Sequence, residues 1–131
     1  MPGSWITVED AERLAAERLE PGVLGYFAGG AGDEETLREN REAWRRWRLL
    51  PRVLTDVSEV TTRAEVLGGP VSAPILVAPT AFQRLLHPDG ELASARAAAA
   101  AGTVFCHSTL ATAAPAEVAA AAPPEIGRAH V

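Results

Sequence analysis

The chain has 131 residues, 47% of them hydrophobic and 22% charged, with a net charge of −5. That composition excludes a disordered chain and disfavours nucleic acid or an anionic membrane as partner. One cysteine, Cys106, excludes an internal disulfide and fits a reducing compartment. The first ten residues carry neither a basic region nor an apolar core, so they do not read as a signal peptide. The apolar run Ala97 to Ala101 is far too short to cross a bilayer. A soluble cytoplasmic protein is expected.

Thr7-Val8-Glu9-Asp10 predicts a helix start, with Thr7 as cap and Asp10 closing a capping box. Val8, Ala11, Leu14, Ala15 and Leu19 then share one face, and Pro21 ends the helix. A short apolar segment, Val23 to Ala28, runs into Gly29-Gly30-Ala31-Gly32. Asp33 is the expected cap of a second helix, with Leu37, Ala43, Trp44 and Trp47 at helical spacing. Glu34–Arg38, Arg38–Glu42 and Glu42–Arg46 would pair on its wet side. The arginines from Arg41 to Arg52 surround two tryptophans, a mixture that can bind nucleic acid. Interleaved acids and the acidic total make a solvated helix face the better reading.

Pro51 to Thr61 reads as an extended connector, and Glu65 to Pro74 as a hairpin turned at Gly68-Gly69. Ile75 to Ala78 is a short, fully apolar strand of the kind buried on both faces. Pro88 is placed to open a helix, with Asp89 and Glu91 near its positive end and Gly102 at its C-cap. Thr103 to His107 reads as a second strand, and Ala114 or Pro115 to Ala122 as a further helix. The order β-α-β-α implies an α/β fold with parallel strands and right-handed crossovers.

Small-residue turns at the carboxyl ends of parallel strands are where α/β proteins hold ligands. Here that turn is Pro79-Thr80-Ala81, followed by Gln83 and by His87-Pro88-Asp89-Gly90-Glu91. Together with Tyr26-Phe27-Ala28-Gly29-Gly30 and the run Cys106-His107-Ser108-Thr109-Leu110-Ala111-Thr112, this closely resembles the FMN-dependent α-hydroxy acid oxidases and dehydrogenases. The resemblance covers residues from about Val8 to about Pro124. It implies the N-terminal part of a (β/α)₈ TIM barrel: N-terminal helices, a small hairpin and the first two β/α units. The implied reaction is oxidation of an (S)-2-hydroxy acid to a 2-oxo acid, with FMN as cofactor. The whole protein is expected to be a homo-oligomer, typically a tetramer, without nucleic-acid or membrane partners.

Four expected flavin contacts follow from the resemblance. Pro79, Thr80 and Ala81 would meet the pyrimidine side and N5 of the ring through their backbone, and the Ser108 hydroxyl would bond the ring. Tyr26 would donate its phenol to the substrate carboxylate, a donor that brings no charge of its own. Each residue also has a plainer reading: a strand-to-loop turn, a strand-end hydroxyl, a packed aromatic. Leu110 stands where many members carry Trp, a departure that bears on the substrate pocket. His87 is expected to anchor a turn, Cys106 to act as a small buried hydrophobe, and neither His107 nor His87 to be the base. No Cys/His spacing suggests a metal site.

In the family a histidine base, an arginine pair and a lysine come from later strands. The chain is therefore expected to hold part of the substrate site and one edge of the flavin site, without a catalytic base. A barrel of this kind takes roughly 250 residues. Residues 125–131 match, in this frame, what a widely used sequencing adapter encodes, with a stop codon next. The expectation is a family region over 1–124 and a non-native tail over 125–131. The alternatives are a natural short binding or assembly module of the same ancestry, a lactate 2-monooxygenase-like activity, and an unrelated α/β piece that binds another phosphate ligand. The wording from Gln83 to Glu91 and the glycine-rich run lean toward bacterial hydroxymandelate or lactate oxidases. The electron acceptor is left open.

Overall fold

The structure is a computed structural model that describes residues 6–122. The chain divides between Thr55 and Asp56 into two units. Residues 125–131, the suspected tail with His130, lie outside the described residues.

In the first unit, α1 (Val8–Ala16) starts as the sequence predicts. The Thr7 hydroxyl accepts the Asp10 N–H at 3.2 Å, and the Asp10 carboxylate accepts the Thr7 N–H at 3.1 Å. The helix stops at Ala16, short of Pro21, because Pro21 opens α2 (Pro21–Ala28) at its first turn, where a missing N–H costs nothing. The third helix, α3 (Glu35–Arg46), is not capped by Asp33. Glu34 takes the cap position in the left-handed region, and its carboxylate turns back to accept the Gly30 N–H at 3.1 Å. The expected i,i+4 charge ladder also gives way to longer reaches. Arg46 pairs with Glu39 at 2.9 Å and Arg41 with Glu12 of α1 at 2.6 Å.

In the second unit, β1 (Ala64–Val66) and β2 (Gly69–Val71) form an antiparallel hairpin. Its turn is Leu67-Gly68, one residue earlier than expected. Both residues have positive φ, the geometry that matches the twist of a two-residue hairpin, and Gly69 pairs with Val66. The predicted strands at Ile75–Ala78 and Thr103–His107 shrink to one parallel bridge, Val77 with Phe105. The expected burial on both faces is absent: Ile75 is 72% exposed.

After a single 3-10 turn, Gln83–Leu85, the chain enters α4 (Gly90–Ala100), two residues later than Pro88 suggested. Pro88 and Asp89 form a turn, and Gly90 carries the bend at φ +47°. A Cβ there would lie 2.7 Å from Arg84 Cγ, so the glycine permits a close approach as well. The C-terminus of α4 follows the expectation. Gly102 sits at φ +68°, its N–H donates to Ala99 O and the Thr103 N–H donates to Ala98 O, a Schellman closure. The last helix, α5 (Pro115–Ala121), starts at proline, with Glu117 accepting the Ala114 N–H at 2.7 Å. Ala95, Ala98 and Ala99 of α4 pack with Phe105, Ala113, Val118 and Ala122 into the core. Small alanines let the helices come close to the extended segment, so the core is thin.

Candidate functional site

The site is built where two extended segments run side by side. The Ser72 N–H donates to Gly102 O at 2.8 Å, and the Thr103 hydroxyl donates to Ile75 O. The Val77 N–H donates to Val104 O at 2.9 Å, and the Cys106 N–H returns to Val77 O at 3.0 Å. This alternation about Phe105 is the bonding pattern of a parallel bridge. Neighbours that run in the same direction release their chains at the same end. Pro79-Thr80-Ala81 and His107-Ser108 therefore emerge together. Tyr26 belongs to the first unit, in α2, where it is exposed and its ring meets Phe27 edge-on at 5.0 Å.

Pro79 and Thr80 are exposed and Ala81 is half-buried, so no bulky side chain covers the turn. Phe82 follows with φ 53°, a conformation that costs a non-glycine residue about 1 kcal/mol or more. Its N–H donates to Leu110 O at 3.1 Å, which ties the loop after the first segment to the loop after the second. Ser108 Oγ accepts the Leu110 N–H at 3.1 Å, which leaves the hydroxyl hydrogen to donate elsewhere. An open cleft of about 470 Å³ is lined by His107, Ser108, Thr112 and Pro115, among others.

Glu91 was not foreseen as part of this site. It is the largest fully buried side chain among the described residues, at 0% exposure. Its Oε1 accepts the N–H groups of Gln83 at 3.2 Å and Thr112 at 2.8 Å, and its Oε2 accepts the Thr112 hydroxyl at 2.6 Å. Burial pushes the carboxyl toward its neutral form. The Thr112 hydroxyl and N–H, with the N–H groups of Glu91 and Gln83, outweigh it and hold the pKa at about 2. The spacing carried the signal, since Glu91, Ala95 and Ala98 fall on one stripe of α4 and all three are buried.

The two histidines and the cysteine sit in different surroundings. His87 Nδ1 accepts the Asp89 N–H at 3.2 Å, an anchor for the turn. His107 is buried among core residues, with its ring 6.5 Å from Phe105 and Nδ1 without a hydrogen-bond partner. Cys106 forms no disulfide and is only half-buried, less than the buried hydrophobe expected. Among the described residues no group of three His, Cys, Asp or Glu could hold a metal ion, and no helix is long and apolar enough to cross a membrane.

Residues 15–129 match the sequence pattern described as FMN-dependent dehydrogenase. The chain belongs to that family. It is 48% identical over 121 residues to glycolate oxidase 1 of Zea mays, covering 92% of this chain and 33% of that protein. It is 48% identical over 116 residues to L-lactate oxidase of Nostoc sp., covering 88% of this chain and 32% of that protein. A crystal structure of mandelate oxidase superposes with a TM-score of 0.86 at 41% identity, covering 90% of this chain and 34% of the other. The chain thus spans about a third of the length of the relatives it matches. The family's cofactor is FMN. The residues present fit one edge of that group: exposed peptide groups in a turn of small side chains, beside a hydroxyl with a hydrogen to give.

Proposed function

We propose that this chain is the N-terminal part of an enzyme that oxidises a small (S)-2-hydroxy acid to the 2-oxo acid with FMN. The observation that carries the reading is the parallel pairing of Val77 with Phe105, which sends Pro79-Thr80-Ala81 and Ser108 out of one end of the ladder. Backbone groups of 79–81 and the Ser108 hydroxyl would hold one edge of FMN. When bound, FMN supplies the two-electron acceptor. The protein's own part is position and charge. Tyr26 would donate to the substrate carboxylate. Among the described residues no base is assigned, because the His87 Nδ1 is occupied by Asp89 and the His107 ring is buried. The complete protein is proposed to be a cytoplasmic homo-oligomer that includes residues 1–124 as its first barrel units, with 125–131 not native to it.

The test is to recover the uninterrupted gene from the source genome, purify its product and offer FMN with a panel of 2-hydroxy acids. A yellow protein that oxidises at least one of them is expected. A product that stays colourless with FMN overturns the reading. The 131-residue chain by itself is expected to show no turnover, and sustained oxidation by it would contradict the missing base. In the active product Tyr26→Phe should raise KM by about tenfold with a smaller effect on kcat, as loss of one hydrogen bond to a charged substrate group.

A further inference from the structure

Two loops must keep a fixed separation if Thr80–Ala81 and Ser108 are to touch one rigid ring. The first runs from Pro79 to Pro88 and the second from Ser108 to Ala114. Direct backbone contact between them is slight: Phe82 N–H to Leu110 O at 3.1 Å. The Arg84 guanidinium adds a bond to Thr112 O at 3.5 Å, and a buried carboxylate joins both loops. Glu91 Oε1 takes one N–H from each loop, Gln83 and Thr112, and Oε2 takes the Thr112 hydroxyl. That hydroxyl in turn accepts the Arg84 N–H at 3.3 Å, so the chain of bonds crosses back to the first loop. Gln83 extends it to the flavin-facing turn: its Nε2 donates to Thr80 O at 3.4 Å, while Ser94 Oγ donates to its Oε1 at 2.6 Å.

Among the described residues the groups that bond Glu91 are neutral donors, while the Arg84 guanidinium reaches Thr112 O at 3.5 Å and Glu117 at 3.8 Å. An ionised acceptor bonded by neutral groups alone demands all its donors, so moving either loop would leave a buried charge short of a bond. The carboxylate therefore fixes loop spacing more firmly than a neutral amide could.

We propose that Glu91 is a positioning residue, whose carboxylate sets the spacing between the Thr80–Ala81 turn and Ser108 and thereby the fit of FMN. This rests on the flavin reading above. Gln83 and Thr112 are the arms through which Glu91 acts; none of the three need touch the ring.

The experiment uses the complete gene product, stripped of FMN and titrated back by flavin fluorescence, with circular dichroism to identify folded protein. Glu91→Gln keeps the volume and removes the charge. Thr112→Val removes one hydroxyl and keeps the backbone bond. Loss of charge-assisted bonding predicts an FMN dissociation constant raised about tenfold in E91Q and about threefold in T112V, each with a shifted flavin absorption band. Folded variants that bind FMN as tightly as the parent, with the parent's spectrum, overturn the proposal and leave the flavin reading intact. Should E91Q not fold, T112V decides alone by the same criterion. A parent that fails to bind FMN overturns both.

Discussion

The two halves of the chain use apolar residues in opposite ways. The helices α1, α2 and α3 bury no residue, although α1 and α3 each carry an apolar stripe. Trp44 and Trp47 are 79% and 77% exposed, and Leu49, Leu50, Val53 and Leu54 are exposed after them. By contrast α4 and α5, built largely of alanine, bury five residues and one respectively. Large side chains at helical spacing make a surface that could be covered; they do not make a core. A core needs an opposing face, and here the small residues have one in the segment around Phe105. Stabilisation follows the area removed from water, so it should reside in the second unit.

That contrast is broken most directly by truncation. Phe105→Ala removes a ring that is 3% exposed and should cost about 3–5 kcal/mol, the range for emptying a packed site. Trp44→Ala removes a larger side chain and should change stability by about 0.5 kcal/mol or less, as expected of an exposed position. Urea unfolding of both variants checks the pair. A Trp44 variant as destabilised as the Phe105 variant would show that the first unit's stripe is covered in solution.

The next effect is electrostatic and again belongs to the second unit. Glu91 has a folded pKa of about 2 against an ordinary 4.5. The unfolded chain therefore binds more protons than the native one between these values. The stability this gives is fully present above about pH 4.5 and is lost as pH falls toward 2. The shift corresponds to about 3 kcal/mol. Unfolding measured from pH 6 down to pH 2 should show that slope in the parent and a weaker one in Glu91→Gln. Asp10 of the first unit is also held below its usual range, by the N–H groups of Ile6 and Thr7 and by the Thr7 hydroxyl. It is only half-buried where Glu91 is fully buried, so its effect on the slope should be far smaller.

A third effect is conformational. Gly102→Ala meets φ +68° and places a Cβ 3.2 Å from Ser72 Cβ. About 1–2 kcal/mol is expected, from left-handed backbone strain and crowding together. Thermal unfolding reads it.

Legibility in the sequence followed the range of the interactions. Thr7 with Asp10, Gly102 after α4 and Pro115 at the start of α5 are local devices, and each stands where its residues predicted. The pairing of the two extended segments was legible as a parallel order. Its length was not, because the amount of ladder depends on what lies beside it. The hairpin slipped by one residue because Leu67 accepts a positive φ that sequence reading assigned to glycine alone. Glu91 was missed because a charged residue in a first turn reads as a dipole partner. Only the donors of a loop some twenty residues away reveal why it is buried.

The smallest effect tests the first unit's best-defined local feature. Thr7→Ala removes the oxygen that accepts the Asp10 N–H and opens one side of the capping box. Such caps contribute about 1 kcal/mol. Because α1 buries nothing, the loss should appear as fraying of that helix and leave the unfolding of the second unit unchanged. Amide exchange resolves the two: faster exchange confined to the first turns of α1 is expected. Faster exchange in α4 or α5 as well would mean that the two units unfold as one, and the contrast between them would then be one of packing alone.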